Sequence, residues 1–459
     1  MLSIISPDQR SSRREFLRIG QLALGGLTLP SLLAARQVMG GSLIHPKSVV
    51  FVFMHGGPSQ TETFDPKMDA PVGIASATGE VSTRLPGITF GGTFPKLSSL
   101  ADQLTIVRSF QTGDGNHDIK PIVGKATAGA NISSYYARIA GATRPNGMPS
   151  TAALYPQAVD DSTMPAFKNF GDFEATGPLS SSYAPFAPGS GGTMQENLKL
   201  QIEPHRLDDR RALLRGLDRI RREMDVRGRW DDFDEIREQA YTTMLGGTAD
   251  AFDLSREDPA TIARYDTAPL VRPEQISRKW NNYDRYVDNA KSLGKLMLLA
   301  RRLCERGCGF VTVTTNFVWD MHADANNAGV EEGMRYMGLP FDHAISAFIE
   351  DLHERGLQDD ILLVCCGEMG RTPKINARGG RDHWGGLAPL LLSGGGIPAG
   401  HVVGQSTRDA SQPLSTPIKI PNLISTILGT LIDSSELRLR TGIPNEITQA
   451  IQQPPMDFG

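Results

Sequence analysis

Six apolar residues in a row, Ile361 to Cys366, break off into a loop crowded with glycine and charge, and this junction narrows the possible folds more than any other stretch. The run is too short for a helix. Bounded by Asp360 and Gly367, it reads as a strand covered on both faces, the pattern of a parallel sheet. The loop beyond it carries Glu368, Arg371, Arg378, Arg381, Asp382, His383 and Trp384, and Leu390 to Leu392 then starts another apolar strand. In open α/β sheets ligands sit just outside the carboxyl ends of the strands, so a site is expected in this loop.

The same unit recurs along the chain. Ser48 to Met54 is a β-branched and aromatic run leading into His55-Gly56-Gly57-Pro58, where glycines let the backbone approach a ligand. Leu104 to Phe110 reads as a second strand, ending in a polar loop at Thr112 to His117. A helix is expected from near His117 toward Gly129, with Asn116, His117 and Asp118 at its amino end, where the backbone dipole favours anions. Leu293, Leu296, Met297, Ala300, Leu303 and Cys304 form the buried stripe of a later helix. Phe310 to Thr315 is the next strand and delivers Trp319-Asp320-Met321-His322. Phe341, Ala344, Ile345, Phe348, Ile349 and Leu352 mark the helix before Ile361, and Pro421 to Ile432 a core helix near the end. Helix, strand and polar loop in this rhythm predict an α/β protein with a parallel sheet and helices on both faces.

Between about 145 and 290 the rhythm fails. Pro145 to Gly192 is rich in proline, serine and glycine and is expected to be irregular surface chain. Leu207 to Leu245 is charged and helical in spacing, largely a solvated face. A cover over the site and an oligomer contact are both open for this insertion, and the sequence does not fix the oligomeric state.

Composition bounds the function. A formal net charge of -4, without a basic stripe interleaved with aromatics, argues against a nucleic-acid partner. Cys304, Cys308, Cys365 and Cys366 make no disulfide framework in 459 residues and read as core thiols, the last two facing opposite sides of their strand. Residues 1–44 read as an address and 45–459 as the body. Ser12-Arg13-Arg14-Glu15-Phe16-Leu17 and the mildly apolar run Ile19 to Ala35 resemble a twin-arginine export signal, which implies the twin-arginine translocation machinery as a partner and a periplasmic or envelope location. An amphipathic anchor is the alternative. No small-x-small cleavage pattern follows Ala35, so an uncleaved signal would leave the protein tethered to the membrane.

The chemistry is suggested by what stands on successive strand ends. His55 follows the first strand, Asp320 and His322 another, and Glu368, Asp382 and His383 share the loop after Cys366. Carboxylates and imidazoles converging from separate strands are a usual way to hold a divalent metal such as Zn²⁺, Mn²⁺, Mg²⁺ or Ca²⁺. Each histidine alone reads equally well as an ordinary hydrogen-bonding residue of a polar loop. Arg371 and Arg381 would clamp a phosphate or sulfate group, or pair with Glu368 or Asp382.

Three segments carry a family resemblance: the Gly-Gly-Pro-Ser turn with Glu62-Thr63-Phe64-Asp65-Pro66, Gly367-Glu368-Met369-Gly370-Arg371-Thr372-Pro373, and Gly380-Arg381-Asp382-His383-Trp384. From about Val49 to Ile432 the chain resembles domain-of-unknown-function family 1501 of exported bacterial proteins, grouped with the alkaline phosphatase and sulfatase superfamily. The resemblance implies a three-layer αβα sandwich with a mixed, mostly parallel sheet, and metal-assisted hydrolysis through a Ser, Thr or formylglycine nucleophile at a helix amino end. Asp320, His322 and His383 match superfamily metal ligands. Where the superfamily has Asp after the first strand this chain has His55, and where it has Asp-His-Gly this chain has Glu368-Met369-Gly370. At the nucleophile position stand Asn116, His117 and Asp118, and the sulfatase Cys-x-Pro-x-Arg signature is absent.

The expectation is therefore an exported metal-dependent hydrolase of phosphate or sulfate esters, acting on an anionic small molecule or polysaccharide ester. Asp320, His322, Glu368, Asp382 and His383 would hold metal, His55 and His117 would serve as ligand or acid/base, and Arg371 and Arg381 would meet the anion. The alternative is a non-catalytic relative that keeps the fold as a binding or envelope component.

Overall fold

The computed structural model describes residues 43–189 and 249–459; the paired arginines and the charged stretch Leu207 to Leu245 lie outside the described residues. The core is a seven-stranded sheet. Its strands are β1 (Ser48–Phe53), β2 (Thr105–Val107), β3 (Thr151–Leu154), β4 (Phe310–Thr314), β5 (Ile361–Cys366), β6 (Leu390–Gly394) and β7 (His401–Val403), in the spatial order β7-β2-β6-β5-β1-β4-β3. β1 lies inside the sheet between β5 and β4, with Phe51 paired to Thr312 of β4 and to Val364 of β5 in parallel register. Only β6 runs against its neighbours in this sheet. Its reversal brings both ends of the loop between β5 and β6 to the carboxyl edge of the parallel strands.

Side-chain alternation divides the core in two. Val50, Val52, Val311, Val313, Leu363 and Cys365 point to one face, where α2 (Tyr283–Glu305) and α3 (Val330–Glu354) supply Leu293, Met297, Phe341 and Phe348. Val49, Phe51, Phe53, Leu362, Val364 and Cys366 point to the other, against α1 (Ile132–Ala140), α4 (Ile420–Leu431) and α5 (Asn445–Ile451). The result is the expected three-layer sandwich. Cys365 and Cys366 do face opposite sides, and all four thiols are free and buried. Among the described residues no helix is long and apolar enough to cross a membrane.

Three expectations about elements are corrected. The helix expected from His117 toward Gly129 is absent: the chain stays irregular apart from a single 3₁₀ turn at Lys125–Thr127, and the helix begins only at Ile132. Pro121 lacks the amide proton a helix interior needs, Gly129 takes a positive φ, and Asn131 caps the helix by accepting from the Ser133 amide. Lys120 instead gathers the loop, with Nζ 2.7 Å from Asp114 and 3.1 Å from Asp118. The irregular chain expected from Pro145 contains β3, an edge strand parallel to β4. With Ala152 and Leu154 buried on one face and Ala153 on the other, it shows no polar alternation to read. The strand expected at Leu104 to Phe110 is broken after Val107, and Phe110–Gln111 pairs with Ile418–Lys419 instead.

Candidate metal centre

The centre is built on the carboxyl ends of β1, β4 and β5. Beyond β1 the chain turns through Gly56 at a φ of +114°, and a Cβ there would stand 2.6 Å from the Asp320 amide nitrogen. Glycine is needed for this contact. The His55 carbonyl accepts from the amides of Val318 and Trp319, both at 3.0 Å, which stitches the end of β1 to the loop after β4 and fixes Asp320. After β5, Gly370–Arg371 pairs antiparallel with His383–Trp384, a short ribbon that returns His383 over the sheet edge. His117 enters from the irregular loop after Phe110–Gln111.

These loops bring together His117, Asp320, His322 and His383, with one potential ligand atom from each lying within 4.8 Å of the others. Asp320 Oδ1 is the common point. It lies 3.1 Å from His322 Nε2, 3.4 Å from His117 Nε2 and 3.5 Å from His383 Nε2. Four donors held around one ion at tetrahedral Zn²⁺ bond lengths stand about 3.3–3.6 Å apart, so this spacing fits such an ion. The His322–His383 separation of 2.8 Å is tighter.

Behind the inner atoms stands a ring of carboxylates and amides. Asp382 Oδ1 is 3.0 Å from His322 Nδ1, and Glu368 Oε1 is 3.0 Å from His117 Nδ1. With both acids ionised, each Nδ1–H donates outward and each Nε2 lone pair faces Asp320, the arrangement that orients metal-binding imidazoles. Glu368 itself accepts from the Gly56 amide at 2.9 Å, and Asn327 donates to Asp320 Oδ2 at 3.0 Å.

Charge is closely balanced here. Burial alone would push the Asp320 carboxyl up, but Arg371 and the three imidazoles prevail and hold it far below the usual carboxylate range. Burial likewise works against a charged His117, yet Asp320 and Glu368 outweigh it and raise its pKa. Glu368 is pushed up by burial against the pull of His117 and Arg371. For His383 the hydrogen bond to Asp320 favours the charged form, while burial and the charges of Arg371 and His117 together lower its pKa.

The remaining residues singled out from the sequence are placed elsewhere. Glu368 and Asp382 stand behind the imidazoles and are not among the four converging groups. The His55 ring is fully buried among Phe53, Phe167, Phe170, Phe173 and Phe317, and neither ring nitrogen has a hydrogen-bond partner. Burial, joined by the charges of His117 and Arg285, lowers its pKa to about 3. Arg371 lies in the centre, 2.5 Å from Asp320 Oδ1 and 3.2 Å from His322 Nε2, and its other N–H groups go to the carbonyls of Gly56, Gly57 and Arg381. Arg381 is fully buried against Glu62 at 2.8 Å, and its remaining donors reach the carbonyls of Thr372, Pro373, Ile74 and Ala75. Neither guanidinium has a donor left for a ligand. Asn327 and the phenylalanine wall were not singled out from the sequence; an Asn in a loop and aromatics in an irregular stretch carry no periodic signal.

The cluster opens into a cleft of about 410 Å³ whose lining includes the mutually packed rings of Phe167, Phe170 and Phe317 together with Asn282, Asp324 and Asn326. His383 also borders a second cleft, of about 720 Å³, lined by Trp384, Gln111, Asp114 and Gln412.

No curated protein matches the chain by sequence. Among solved structures, it is similar to the PsFucS1 sulfatase from Pseudoalteromonas sp., at 11% identity over 92% of this chain and 72% of that one, with a TM-score of 0.36. It is also similar to the phosphonate monoester hydrolase SpPMH from Silicibacter pomeroyi, at 13% identity over 84% and 73% of the two chains, with a TM-score of 0.30. The phosphonate monoester hydrolase of Agrobacterium radiobacter matches at 11% identity over 84% and 74%, with a TM-score of 0.29. The model of one family, described as "Protein of unknown function (DUF1501)", matches residues 46–451, from β1 through α5 and including every residue of the centre, and the chain belongs to that family.

Proposed function

We propose that the protein is a metal-dependent hydrolase of phosphate or sulfate esters, with water as the second reactant. The observation that carries this reading is the convergence of three imidazole Nε2 atoms on Asp320 Oδ1, at the carboxyl edge of a parallel sheet and open to a cleft. His117, Asp320, His322 and His383 would hold the ion, and three imidazoles with one carboxylate suit Zn²⁺ or another transition ion better than Ca²⁺. A metal held there would polarise an ester oxygen and offset its developing negative charge. Glu368 and Asp382 keep two of the imidazoles turned inward, Asn327 holds Asp320, and the phenylalanine wall limits water on one side of the cleft. Arg13 and Arg14, ahead of the apolar run, support placing this activity outside the cytoplasm after twin-arginine export.

A second reading, a non-catalytic binding component, is favoured by Arg371. Its guanidinium already satisfies Asp320 Oδ1 and His322 Nε2, so the protein's own cation partly closes the cluster. Turnover separates the two. Protein loaded with Zn²⁺ or Mn²⁺ should hydrolyse 4-nitrophenyl phosphate or 4-nitrophenyl sulfate, and chelation or Asp320→Ala should abolish the rate. A loaded protein that turns over neither these nor a wider panel of phosphate and sulfate esters supports the binding role.

A further inference from the structure

We propose that Arg285 is the anion-recognition residue of the cleft, its guanidinium donating to an oxygen of a tetrahedral oxyanion, the phosphate or sulfate group of the substrate. The proposal rests on the hydrolase reading and names the group that would select its substrate.

Arg285 lies in the first turn of α2 and lines the same cleft as His117, Asp320, His322 and His383. Its guanidinium carbon stands 4.1 Å over the Phe167 ring, which fixes the plane of the group. That contact uses the π-face and leaves the N–H edges free. Nη1 is buried without a hydrogen-bond partner, and among the described residues no carboxylate pairs with Arg285. The nearby Asp288 is taken by Lys291 and by the Met164 amide. An unpaired cationic donor in the wall of a cleft costs more than an ordinary unsatisfied group, and an anion paired with the guanidinium offsets that cost. Arg371 and Arg381, the buried arginines of the loop after β5, have every donor committed to the protein. Arg285 therefore offers the ligand what they do not. Planar, multi-donor recognition of an oxyanion is the task a guanidinium suits best.

The test uses the full chain and two probes, inorganic phosphate and inorganic sulfate, titrated by calorimetry into wild type, Arg285→Gln and Arg285→Met. Arg285→Met keeps apolar packing on Phe167 and so guards against a folding defect in the other variant. Metal content is read on each sample. The expected result is binding of at least one probe by the wild type, weakened about tenfold or more in both neutral variants, with metal content unchanged. The stronger probe then tells phosphate from sulfate. Neutral variants that bind as tightly as the wild type, or a wild type that binds neither probe whether metal-loaded or metal-free, overturn the proposal. A metal-free wild type that still loses oxyanion binding on Arg285 substitution upholds the anion site while the hydrolase reading fails.

Discussion

Asp320 meets four basic groups: the imidazoles of His117, His322 and His383 and the guanidinium of Arg371. That such a carboxylate stands after a strand, with His322 close behind and His383 in a neighbouring loop, was readable from the chain. The division of labour among the other residues was not. His55 carries the same signal, a histidine directly after a strand, yet its ring is enclosed by phenylalanines, three of which come from the irregular 167–173 stretch. Arg381 looked like an anion clamp because its partner, Glu62, is 319 residues away in sequence. Removing one member of this buried pair leaves the other uncompensated. Glu62→Gln should therefore destabilise the fold by about 3–5 kcal/mol in a denaturant titration. The centre should keep its metal in whatever fraction stays folded; a loss of less than about 1 kcal/mol would show that the pair is not a support of the site loop.

At the scale of elements, the long buried strands and the striped helices were legible because their apolar periods differ from those of their surroundings. The loop that carries His117 is irregular and not helical despite the glycine at 129, because Pro121 has no amide proton to donate. The tie between β1 and the loop after β4 depends on Gly56. Gly56→Ala would place a methyl 2.6 Å from the Asp320 amide at a φ of +114°, so the loop must shift. Metal affinity should fall by at least about tenfold with little change in far-ultraviolet circular dichroism; unchanged affinity would mean that the loop does not set Asp320. α3 shows a second coupling between elements. Asp342 accepts from the amides of Lys96 at 3.0 Å and Leu97 at 2.7 Å, capping the short helix Pro95–Ser99 from outside. Burial pushes its pKa up to about 6 against those two amides. A carboxyl raised in this way binds its proton more tightly in the folded state, so its contribution is fully present below about pH 4 and is lost as pH rises through about 6. Asp342→Asn should flatten the stability profile across that window. An identical slope in wild type and variant, measured by thermal unfolding from pH 4 to 7, would count against the assignment.

At the scale of the whole molecule, the proposal of a hydrolase folded before export rests on a centre open to a cleft at one sheet edge and on a paired-arginine segment ahead of the body. Replacing Arg13 and Arg14 with lysine should hold the protein inside the cell, as fractionation of the native host would show; unchanged export would remove the twin-arginine route. The central claim is the metal itself. Protein purified without chelator or affinity metal should carry about one equivalent of a transition ion by elemental mass spectrometry, and an Asp320→Ala, His383→Ala double variant should carry none. A wild type that stays folded and metal-free even after incubation with Zn²⁺ or Mn²⁺ would contradict the metal centre and leave the cluster around Asp320 as an ion-pair network closed by Arg371.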